Sequence, residues 1–453
     1  MRVAVVTLGC DKNTVDSERY LGSLVEHGAV SVAEPADADV VIVNTCGFID
    51  AAKRESIDAL VGAARLKDAG SVQAVVAVGC MVQRHEAELR EALPEVDLFL
   101  GAADADQLVP RLRERGLLDG PEALHPGVRV YAGDTPHVRY LKLSEGCDHG
   151  CAFCAIPLMR GRHRSFALDD VVREAQLLEL QGAREVNLVA QDLAHYGRDR
   201  RDGAGLPEAL EALARETGIP WIRMLYLYSA GITPRLLEVV AREPRIVRYL
   251  DMPIQHASDA VLQRMRRPER RDTIREKVAR YRDAIPGVAI RTTCIVGFPG
   301  ETDDDFRTLA DFLEEIQFER VGIFAYSPQE GTRAAQLPDD VPDSIKRERV
   351  EQLGEIQRGI TESRYAMRVG VHAEALVERD ATARLPWQAD DIDGTTALDR
   401  AVDAGAFVDV EVTGVDEYDF TARVVGVRNH ASAPASDGRV RALPVVSMGA
   451  FGR

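Results

Sequence analysis

The chain contains 453 residues, of which 45% are hydrophobic and 28% are charged, and at roughly 150 residues per domain this length predicts two or three hydrophobic cores. Its formal net charge of −17 argues against broad electrostatic binding of nucleic acid and favours a basic macromolecular partner. No apolar run approaches the roughly 20 residues that span a bilayer, and the first residues, MRVAVVTLGCDKN, do not resemble a cleavable signal. We therefore expect a cytoplasmic protein without membrane contact.

The N-terminal region, residues 1–116, alternates apolar runs with helical patterns. The apolar runs are VAVVTL, ADVVIVNT and AVVAV. Because each run is continuous rather than alternating, the pattern predicts a parallel sheet with helices on both faces. Residues 117–132 contain Gly and Pro and are predicted to form a linker to the next domain.

The central region, residues 133–366, repeats the alternation of strands and helices on a larger scale. Candidate strands cover residues 185–192, 221–228, 246–252, 289–297 and 320–326. Repeated units of this kind favour a parallel (β/α) barrel, complete or partial, with its active site at the carboxyl ends of the strands. A charged helical stretch, SIKRERVEQLGEIQRGITESRY, closes the region.

The C-terminal region changes pattern again. Residues 367–430 contain short strand patterns such as AFVDVEVTGV and YDFTARVVGV without a long helix, which predicts a small OB-like β-barrel. Residues 431–453 are rich in Ala, Pro and Ser and are predicted to be a loosely ordered tail. The fold class expected for the whole chain is therefore α/β and multidomain.

Three of the seven cysteines stand close together in the segment SEGCDHGCAFCAIP. Cys147, Cys151 and Cys154 have CxxxCxxC spacing on a loop after the apolar run YLKL. Three thiolates on one loop can bind three irons of a four-iron cluster and leave the fourth iron open for substrate. The alternative is a zinc knuckle that adds His149, but zinc ligands usually come in two separated pairs.

Three further cysteines, Cys10, Cys46 and Cys80, each end an apolar run of the N-terminal region. In a parallel sheet these positions lie at the carboxyl edge, where open α/β folds place their ligands. Neighbouring glycines would let the backbone approach a bulky cluster. We infer a second iron-sulfur cluster, again with one open iron. Cys294 lies within a predicted strand and is interpreted as a packing residue.

The cysteine loop resembles that of the radical S-adenosylmethionine (SAM) superfamily, including the aromatic Phe153 before its last cysteine. Together with the second cysteine set and the terminal barrel, the chain resembles the methylthiotransferase family of that superfamily as far as about residue 430. The resemblance implies a TRAM domain at the C-terminus, two 4Fe-4S clusters, and SAM as both methyl donor and radical source. The cluster on the loop would cleave SAM, whereas the auxiliary cluster on Cys10, Cys46 and Cys80 would carry the sulfur.

Further cofactor contacts are expected around the barrel. CIVGFPGET resembles the family's strand end that lies against the SAM adenine, which makes Gly297 a candidate contact and Glu301 a polar one. Gln191 and Arg223 lie in or at the end of predicted strands and could face the SAM ribose or carboxylate. Phe153 completes the set of candidate SAM contacts. No catalytic residue is expected beyond the cluster ligands, because hydrogen abstraction by a radical needs no protein base; His149 and His256 are therefore given no role.

Two branches of the family differ in substrate: one modifies adenosine derivatives in transfer RNA, and the other modifies the β-carbon of an aspartate in small-subunit ribosomal protein S-twelve. The segments SEGCDHGCAFC, YLDMPIQHAS and ADDIDG resemble the ribosomal-protein branch. Residues 371–430 contain 13 acidic residues, five arginines and no lysine, a balance that suits a basic protein better than RNA. A transfer RNA enzyme and a non-catalytic metal-binding scaffold for ribosomes remain the alternatives.

The partners implied are ribosomal protein S-twelve, free or in the assembled small subunit, and an electron donor such as flavodoxin or ferredoxin. Direct RNA binding is not favoured. The run from Arg264 to Arg282 holds nine Arg or Lys residues and three acidic ones, but its single aromatic, Tyr281, does not provide a series of rings for base stacking. We interpret it as a solvated outer helix of the barrel.

Overall fold

The computed structural model describes residues 1–120, 129–131 and 135–428. The predicted linker, 117–132, lies partly outside these ranges, and the predicted tail, 431–453, lies wholly outside them. Three bodies follow one another along the chain: a parallel α/β sheet, a partial (β/α) barrel and a small closed β-barrel. This architecture confirms the predicted fold class.

The N-terminal domain is a five-stranded parallel sheet with the strand order β2-β1-β3-β4-β5. Its strands are β1 (Arg2–Thr7), β2 (Val30–Ser31), β3 (Val40–Thr45), β4 (Ala74–Gly79) and β5 (Leu98–Gly101). Its helices are α1 (Asp11–Glu26), α2 (Asp50–Asp68), α3 (Cys80–Ala92) and α4 (Leu108–Glu114). The three predicted strands are β1, β3 and β4, and the central strands β3 and β4 are buried at every position, as expected for a sheet covered on both faces. The short edge strands β2 and β5 were not predicted.

The central domain contains six parallel strands arranged as two three-stranded sheets, β10-β9-β6 and β11-β12-β13, joined by a bridge between Ile222 and Ile246. The barrel strands are β6 (Val138–Lys142), β9 (Glu185–Val189), β10 (Trp221–Met224), β11 (Tyr249–Asp251), β12 (Ala289–Val296) and β13 (Arg320–Ala325). A two-stranded pair, β7 (Ser144–Glu145) and β8 (Arg164–Ser165), encloses the cysteine loop and α5 (Ile156–Arg160). The outer helices are α6 (Leu168–Leu180), α7 (Leu206–Glu216), α8 (Pro234–Arg242), α9 (Asp259–Arg264), α10 (Arg271–Ala284), α11 (Asp303–Ile316) and α12 (Asp343–Ala366).

The predicted helical run from Arg264 to Arg282 is interrupted in the structure. Helix α9 ends at Arg264 and α10 begins at Arg271, because the intervening segment contains Pro268 and a left-handed residue, Arg266, with φ of +59°. Arg267, in this break, is only 5% exposed and packs its guanidinium over the ring of Tyr228. The interpretation of the run as one solvated helix is therefore wrong for this segment.

The C-terminal domain is a closed barrel with the strand order β14-β15-β16-β18-β17. Its strands are β14 (His372–Arg379), β15 (Thr382–Arg384), β16 (Thr396–Leu398), β17 (Phe407–Asp416) and β18 (Asp419–Arg428). One hydrophobic cluster joins its interior to first residues of the central strands, including Val138, Trp221 and Tyr249. The small barrel therefore covers the amino end of the partial barrel and leaves the carboxyl ends of the strands to the cysteine loop. Within the described ranges, no helix is both long and apolar enough to cross a membrane.

Candidate functional site

Cys10, Cys46 and Cys80 converge at the carboxyl edge of the N-terminal sheet. Cys10 follows β1, Cys46 follows β3 and Cys80 follows β4, and these three strands are neighbours in the sheet. The backbone fits closely around the thiols: Gly9 has φ of +97°, and a Cβ at this position would lie 2.9 Å from Cys46 Sγ. Only glycine adopts this conformation and leaves this space. We call these three residues the edge triad.

The edge triad has the electrostatic character of a metal site. Burial raises the pKa of the Cys46 and Cys80 thiols, that of Cys80 to about 12, and the negative charge of Cys10 raises both further. A bound cation would reverse this effect, since metal ligation keeps cysteine as thiolate. Two helices also begin here, because Cys10 caps α1 and Cys80 opens α3, and helix N-termini favour negative charge. The donor set therefore fits an iron-sulfur cluster.

Cys147, Cys151 and Cys154, which we call the loop triad, follow β7 at the carboxyl end of β6. The loop is fixed by backbone hydrogen bonds from Cys147 to Gly161 (3.1 Å) and from Cys154 to Cys151 (3.3 Å). Burial raises the pKa of Cys147 to about 11 and of Cys154 to about 12, and the neighbouring thiolates contribute to both shifts. The structure thus brings these three thiols together as the sequence predicted.

The two triads share a wall formed by α5, which begins two residues after Cys154. Ala155 and Met159 pack directly against Cys80 of the edge triad. Arg160, the last residue of α5, donates from Nε to Cys80 Sγ at 3.0 Å and from Nη1 to Asp16 Oδ2 at 2.6 Å. A cofactor on the loop triad and one on the edge triad would therefore both lie close to this short helix.

Gln191, predicted to contact SAM, lies at the end of β9 beside this wall. Its Nε2 donates to Glu145 Oε1 at 2.9 Å, and the other oxygen of Glu145 accepts from Lys142 at 2.6 Å. The amide oxygen of Gln191 is buried and has no donor among the described residues. A buried acceptor without a partner costs free energy, so this atom is available to a ligand.

Phe153, Gly297 and Glu301 lie around the end of β12. Phe153 packs against a cluster that contains Phe298, so the cysteine loop contacts the turn after β12. Gly297 has φ of +70°, but the side chain of Lys346 covers its α-carbon. Glu301 is buried and binds the backbone N–H of Phe298 at 3.1 Å and Arg349 Nη1 at 2.8 Å. Glu301 therefore fixes this turn, and its carboxylate is occupied by protein groups.

Arg223 is not among the residues that the structure brings to the triads. Its Nε donates to Glu185 at 2.7 Å and its Nη1 donates to the carbonyl oxygen of Pro386 in the C-terminal barrel at 2.8 Å. Glu185 is the first residue of β9, so the guanidinium is directed to the amino end of the partial barrel. The expectation that Arg223 faces SAM is corrected by this geometry. Cys294 lies fully buried in the barrel core, as predicted for a packing residue.

His149 takes part in a cluster that the sequence analysis missed. Its Nε2 lies 2.5 Å from Asp192 Oδ2, and His195 Nδ1 lies 2.5 Å from the same oxygen. The His149 ring also stacks on Tyr228 with centroids 3.9 Å apart. These contacts turn the imidazole toward Asp192 rather than toward the three thiols, and they remove support for a zinc knuckle that includes His149. His256 is buried and engaged with the Ser258 backbone N–H at 2.9 Å.

Arg160 and Arg267 are the other polar residues at the site that sequence reasoning missed. Arg267 Nη1 lies 3.9 Å from Cys151 Sγ, as Arg160 lies beside Cys80. Both contacts join segments about 80 or more residues apart, so spacing along the chain gave no signal for them. The one available signal was the position of Arg160 within the same loop segment as the cysteines.

Comparison with known proteins matches each domain to a family. Residues 2–101 match the uncharacterized protein family UPF0004, residues 141–313 match the radical SAM superfamily, and residues 369–425 match the TRAM domain.

Several curated relatives are similar over nearly the full chain. Ribosomal protein uS12 methylthiotransferase RimO of Anaeromyxobacter sp. (strain K) is 44% identical, over 98% of this chain and 97% of the relative. The protein of the same name from Geobacter sulfurreducens is 40% identical, over 94% and 98%.

Two solved structures show the same fold at low identity. The radical SAM methyltransferase TsrM from Kitasatospora setae, solved with cobalamin and a 4Fe-4S cluster, has a TM-score of 0.52 at 14% identity and covers 72% of this chain and 76% of its own. The cobalamin-dependent SAM radical enzyme OxsB has a TM-score of 0.50 at 10% identity, over 78% and 56%. These likenesses concern the fold alone.

Proposed function

This chain belongs to the RimO family of ribosomal protein uS12 methylthiotransferases. We propose that it adds a methylthio group to the β-carbon of an aspartate in uS12, which is small-subunit ribosomal protein S-twelve. It is a radical SAM transferase, and its cofactors are 4Fe-4S clusters and SAM. We also propose which residues hold these cofactors and which electron donor reduces them. The domain limits that we propose are 1–116, 133–366 and 367–430.

The loop triad would hold the SAM-cleaving cluster and the edge triad the auxiliary cluster. Each triad offers three thiols to four irons, so each leaves one iron for a non-protein ligand. When bound, the two clusters supply the reductive cleavage of SAM to a 5′-deoxyadenosyl radical and the sulfur that is transferred. Phe153 and Gln191 are the candidate SAM contacts that the geometry supports best, because both lie on the walls of the loop-triad site.

The contact across α5 is the observation that carries the proposal. A reaction that joins a radical centre to a sulfur donor requires both within reach of one substrate carbon. Ala155, Met159 and Arg160 bring the helix that follows the loop triad against Cys80 of the edge triad. The apolar pair Ala155 and Met159 excludes water between the sites. Arg160 places a positive charge beside the edge triad, which offsets the negative charge of the thiolates.

The choice of a basic protein as substrate rests partly on the charge of the C-terminal barrel. Seven of its 13 acidic residues are exposed, whereas Asp390 and Asp393 are buried. Asp393 binds Tyr249 at 2.5 Å and Arg320 at 3.2 Å, so part of this acidity joins the barrels rather than facing a partner. The exposed acidic residues still favour a basic protein over RNA as the substrate. The curated relatives, which are ribosomal protein uS12 methylthiotransferases, support the same choice. An electron carrier such as flavodoxin or ferredoxin is the donor we propose.

Mass spectrometry of ribosomal protein and transfer RNA from a strain that lacks this chain tests the substrate. We expect uS12 to lose its methylthio group and transfer RNA to keep its modifications. Complementation with the wild-type chain or with the buried-cysteine control Cys294→Ala should restore the modification, and Cys80→Ala should not. A modified uS12 in the deletion strain, with unmodified transfer RNA, would establish the RNA branch instead.

Metal analysis tests the cofactor assignment separately. After anaerobic reconstitution we expect about eight irons per chain, the content of two four-iron clusters. Replacing the whole edge triad with alanine should leave about four irons and retain SAM cleavage. Zinc in place of iron would contradict the assignment and favour a non-catalytic scaffold.

A further inference from the structure

Lys12, two residues after Cys10, places its ammonium group over an aromatic ring beside the edge triad. The residue is 7% exposed, and its Nζ lies 2.9 Å from the centroid of the Tyr226 ring and 3.9 Å from Asp11 Oδ2. Within the part of the chain that the structure describes, Nζ makes no hydrogen bond. A lysine ammonium has three donors, and burying a charge is costly unless it is paired. The hydrogen-bond donors of this ammonium group are therefore open to an anionic acceptor.

Tyr226, under the ammonium, is held in place from several sides. Its backbone lies in the left-handed region with φ of +62°, and its N–H donates to Asp251 Oδ2 at 3.0 Å. Its hydroxyl donates to Asp11 Oδ2 at 2.9 Å. A non-glycine residue keeps this conformation only where its surroundings enforce it. The ring is thus a fixed support that holds Lys12 at the junction of the N-terminal domain and the partial barrel.

The charges around this junction are otherwise satisfied. Arg291 donates to Asp251 Oδ1 at 2.9 Å, and Asp251 also accepts from Tyr226. Arg160 is bound to Asp16 and Cys80. Lys12 differs from these groups because its nearest carboxylate, Asp11, stands beyond hydrogen-bond distance and already accepts from Tyr226.

We infer that Lys12 binds the side-chain carboxylate of the aspartate substrate and so selects aspartate for modification. This inference rests on the proposed function. The β-carbon of aspartate bears the carboxylate directly, so a carboxylate held by Lys12, in the first turn of α1, places that carbon at the edge triad. The N-terminus of the 16-residue helix α1 also favours a negative charge at this place. Lys12 is thereby a specificity-determining residue.

SAM carries a carboxylate too, in its methionyl group, and the same ammonium could bind it. The position of Lys12 favours the substrate, because Lys12 lies on the domain of the edge triad and not on the loop triad. The two sources are separated by measuring each ligand alone.

The experiment compares the reconstituted wild type with Lys12→Met, Lys12→Arg and the control Lys67→Met. The control removes a partly exposed lysine in the last turn of α2, where it pairs with Asp97. Each protein is given uS12 with aspartate or with asparagine at the modified position. Binding of uS12, binding of SAM, methylthio product and SAM cleavage without uS12 are measured. Iron content and melting temperature establish that each variant is folded and loaded.

We expect the wild type and Lys67→Met to bind the aspartate form at least roughly tenfold more tightly than the asparagine form, the contribution of one charge-assisted hydrogen bond. Lys12→Met should bind both forms equally weakly, with unchanged affinity for SAM and unchanged SAM cleavage. Lys12→Arg should recover part of the preference. A purely structural role would weaken both forms alike and keep their ratio.

Three results would overturn the inference. If Lys12→Met keeps the preference for aspartate, Lys12 does not read the carboxylate. If only SAM affinity falls, the methionyl carboxylate is the ligand. If the wild type modifies no form of uS12, free or in small subunits, the proposed function itself fails; this outcome is distinct, because the first two require an active wild type.

Discussion

The two ends of the central barrel hold buried charges in opposite ways. At the amino end, Glu185 is fully buried between Arg223 at 2.7 Å and Arg384 at 2.5 Å, and every partner comes from the protein. At the carboxyl end, six free cysteines lie beside the amide oxygen of Gln191 and the ammonium of Lys12. Among the described residues, that amide oxygen has no donor and that ammonium makes no hydrogen bond, although it contacts the Tyr226 ring. The ion pairs of Glu185 at the amino end join two domains. The polar groups left open at the carboxyl end mark the place for cofactor and substrate.

The largest effect should come from the carboxyl end. Replacing Cys147, Cys151 and Cys154 with alanine should abolish SAM cleavage completely, because no other described thiols form a loop site, whereas the melting temperature of the apoprotein changes little. Production of 5′-deoxyadenosine with a chemical reductant measures this. Cys294→Ala is the matched control and should retain cleavage; full cleavage in the triple variant would refute the assignment.

The amino end should respond in stability rather than in chemistry. Glu185→Ala leaves two buried guanidinium groups without their carboxylate, and breaking a buried pair in this way costs about 3–5 kcal/mol. Thermal or urea unfolding measures the loss. Glu411→Ala, which breaks the exposed pair with Arg423, should cost less than about 1 kcal/mol. Equal losses in the two variants would mean that the amino-end network does not join the domains.

The pH dependence of stability should also originate at the amino end. Burial raises the pKa of Asp390 to about 7, and the charges of Asp391, Glu185 and Glu378 add to this, while Arg384 opposes it. Between about pH 4 and pH 7 the folded protein keeps a proton that the unfolded chain has released, so stability falls as the pH rises through this range. We expect Asp390 to contribute a loss of about 1–4 kcal/mol. Burial lowers the pKa of His137 to about 4, so that histidine contributes in the opposite direction below about pH 6.5.

Asp390→Asn should remove this slope, because an amide does not titrate. The exposed Asp403→Asn is the control and should keep it. The measurement is the melting temperature of both variants and the wild type from pH 4.5 to pH 8. A slope that persists in Asp390→Asn would assign the effect to another group.

A smaller effect is expected for the contact across α5. Arg160→Lys keeps the positive charge but loses the N–H donated to Cys80 Sγ, and hydrogen bonds to cluster sulfur raise the reduction potential. We expect the potential of the edge-triad cluster to fall by on the order of 60 mV, equivalent to about 1.4 kcal/mol for one electron. Redox titration followed by electron paramagnetic resonance measures it. Arg54→Lys, exposed on α2, should leave the potential unchanged.

Much of this arrangement could be read from local patterns. Cys10, Cys46 and Cys80 each end an apolar run, and parallel strands place such ends together, so their convergence was predictable. The spacing of the loop triad similarly specified one binding loop. The chain order of the three folds also followed from the period of the apolar residues.

Contacts between domains could not be read in this way. Arg223 lies in a strand as expected, but sequence alone does not show that its guanidinium binds the C-terminal barrel at Pro386. The contacts of Arg160 with Cys80 and of Lys12 with Tyr226 join segments far apart in the chain. These contacts form only because the N-terminal domain packs against the partial barrel. The number of acidic residues in the last domain likewise does not show which of them face solvent, since Asp393 binds Tyr249 inside the protein.

We propose that the two clusters lie close together at α5, and electron paramagnetic resonance of the fully reduced protein tests this placement most directly. The edge-triad and loop-triad alanine variants each supply the signal of one isolated cluster. We expect coupling between two neighbouring spins to broaden the wild-type spectrum, so that it differs from the sum of the two variant spectra. A wild-type spectrum equal to that sum would contradict the placement of the two clusters beside one helix and would mean that they lie far apart.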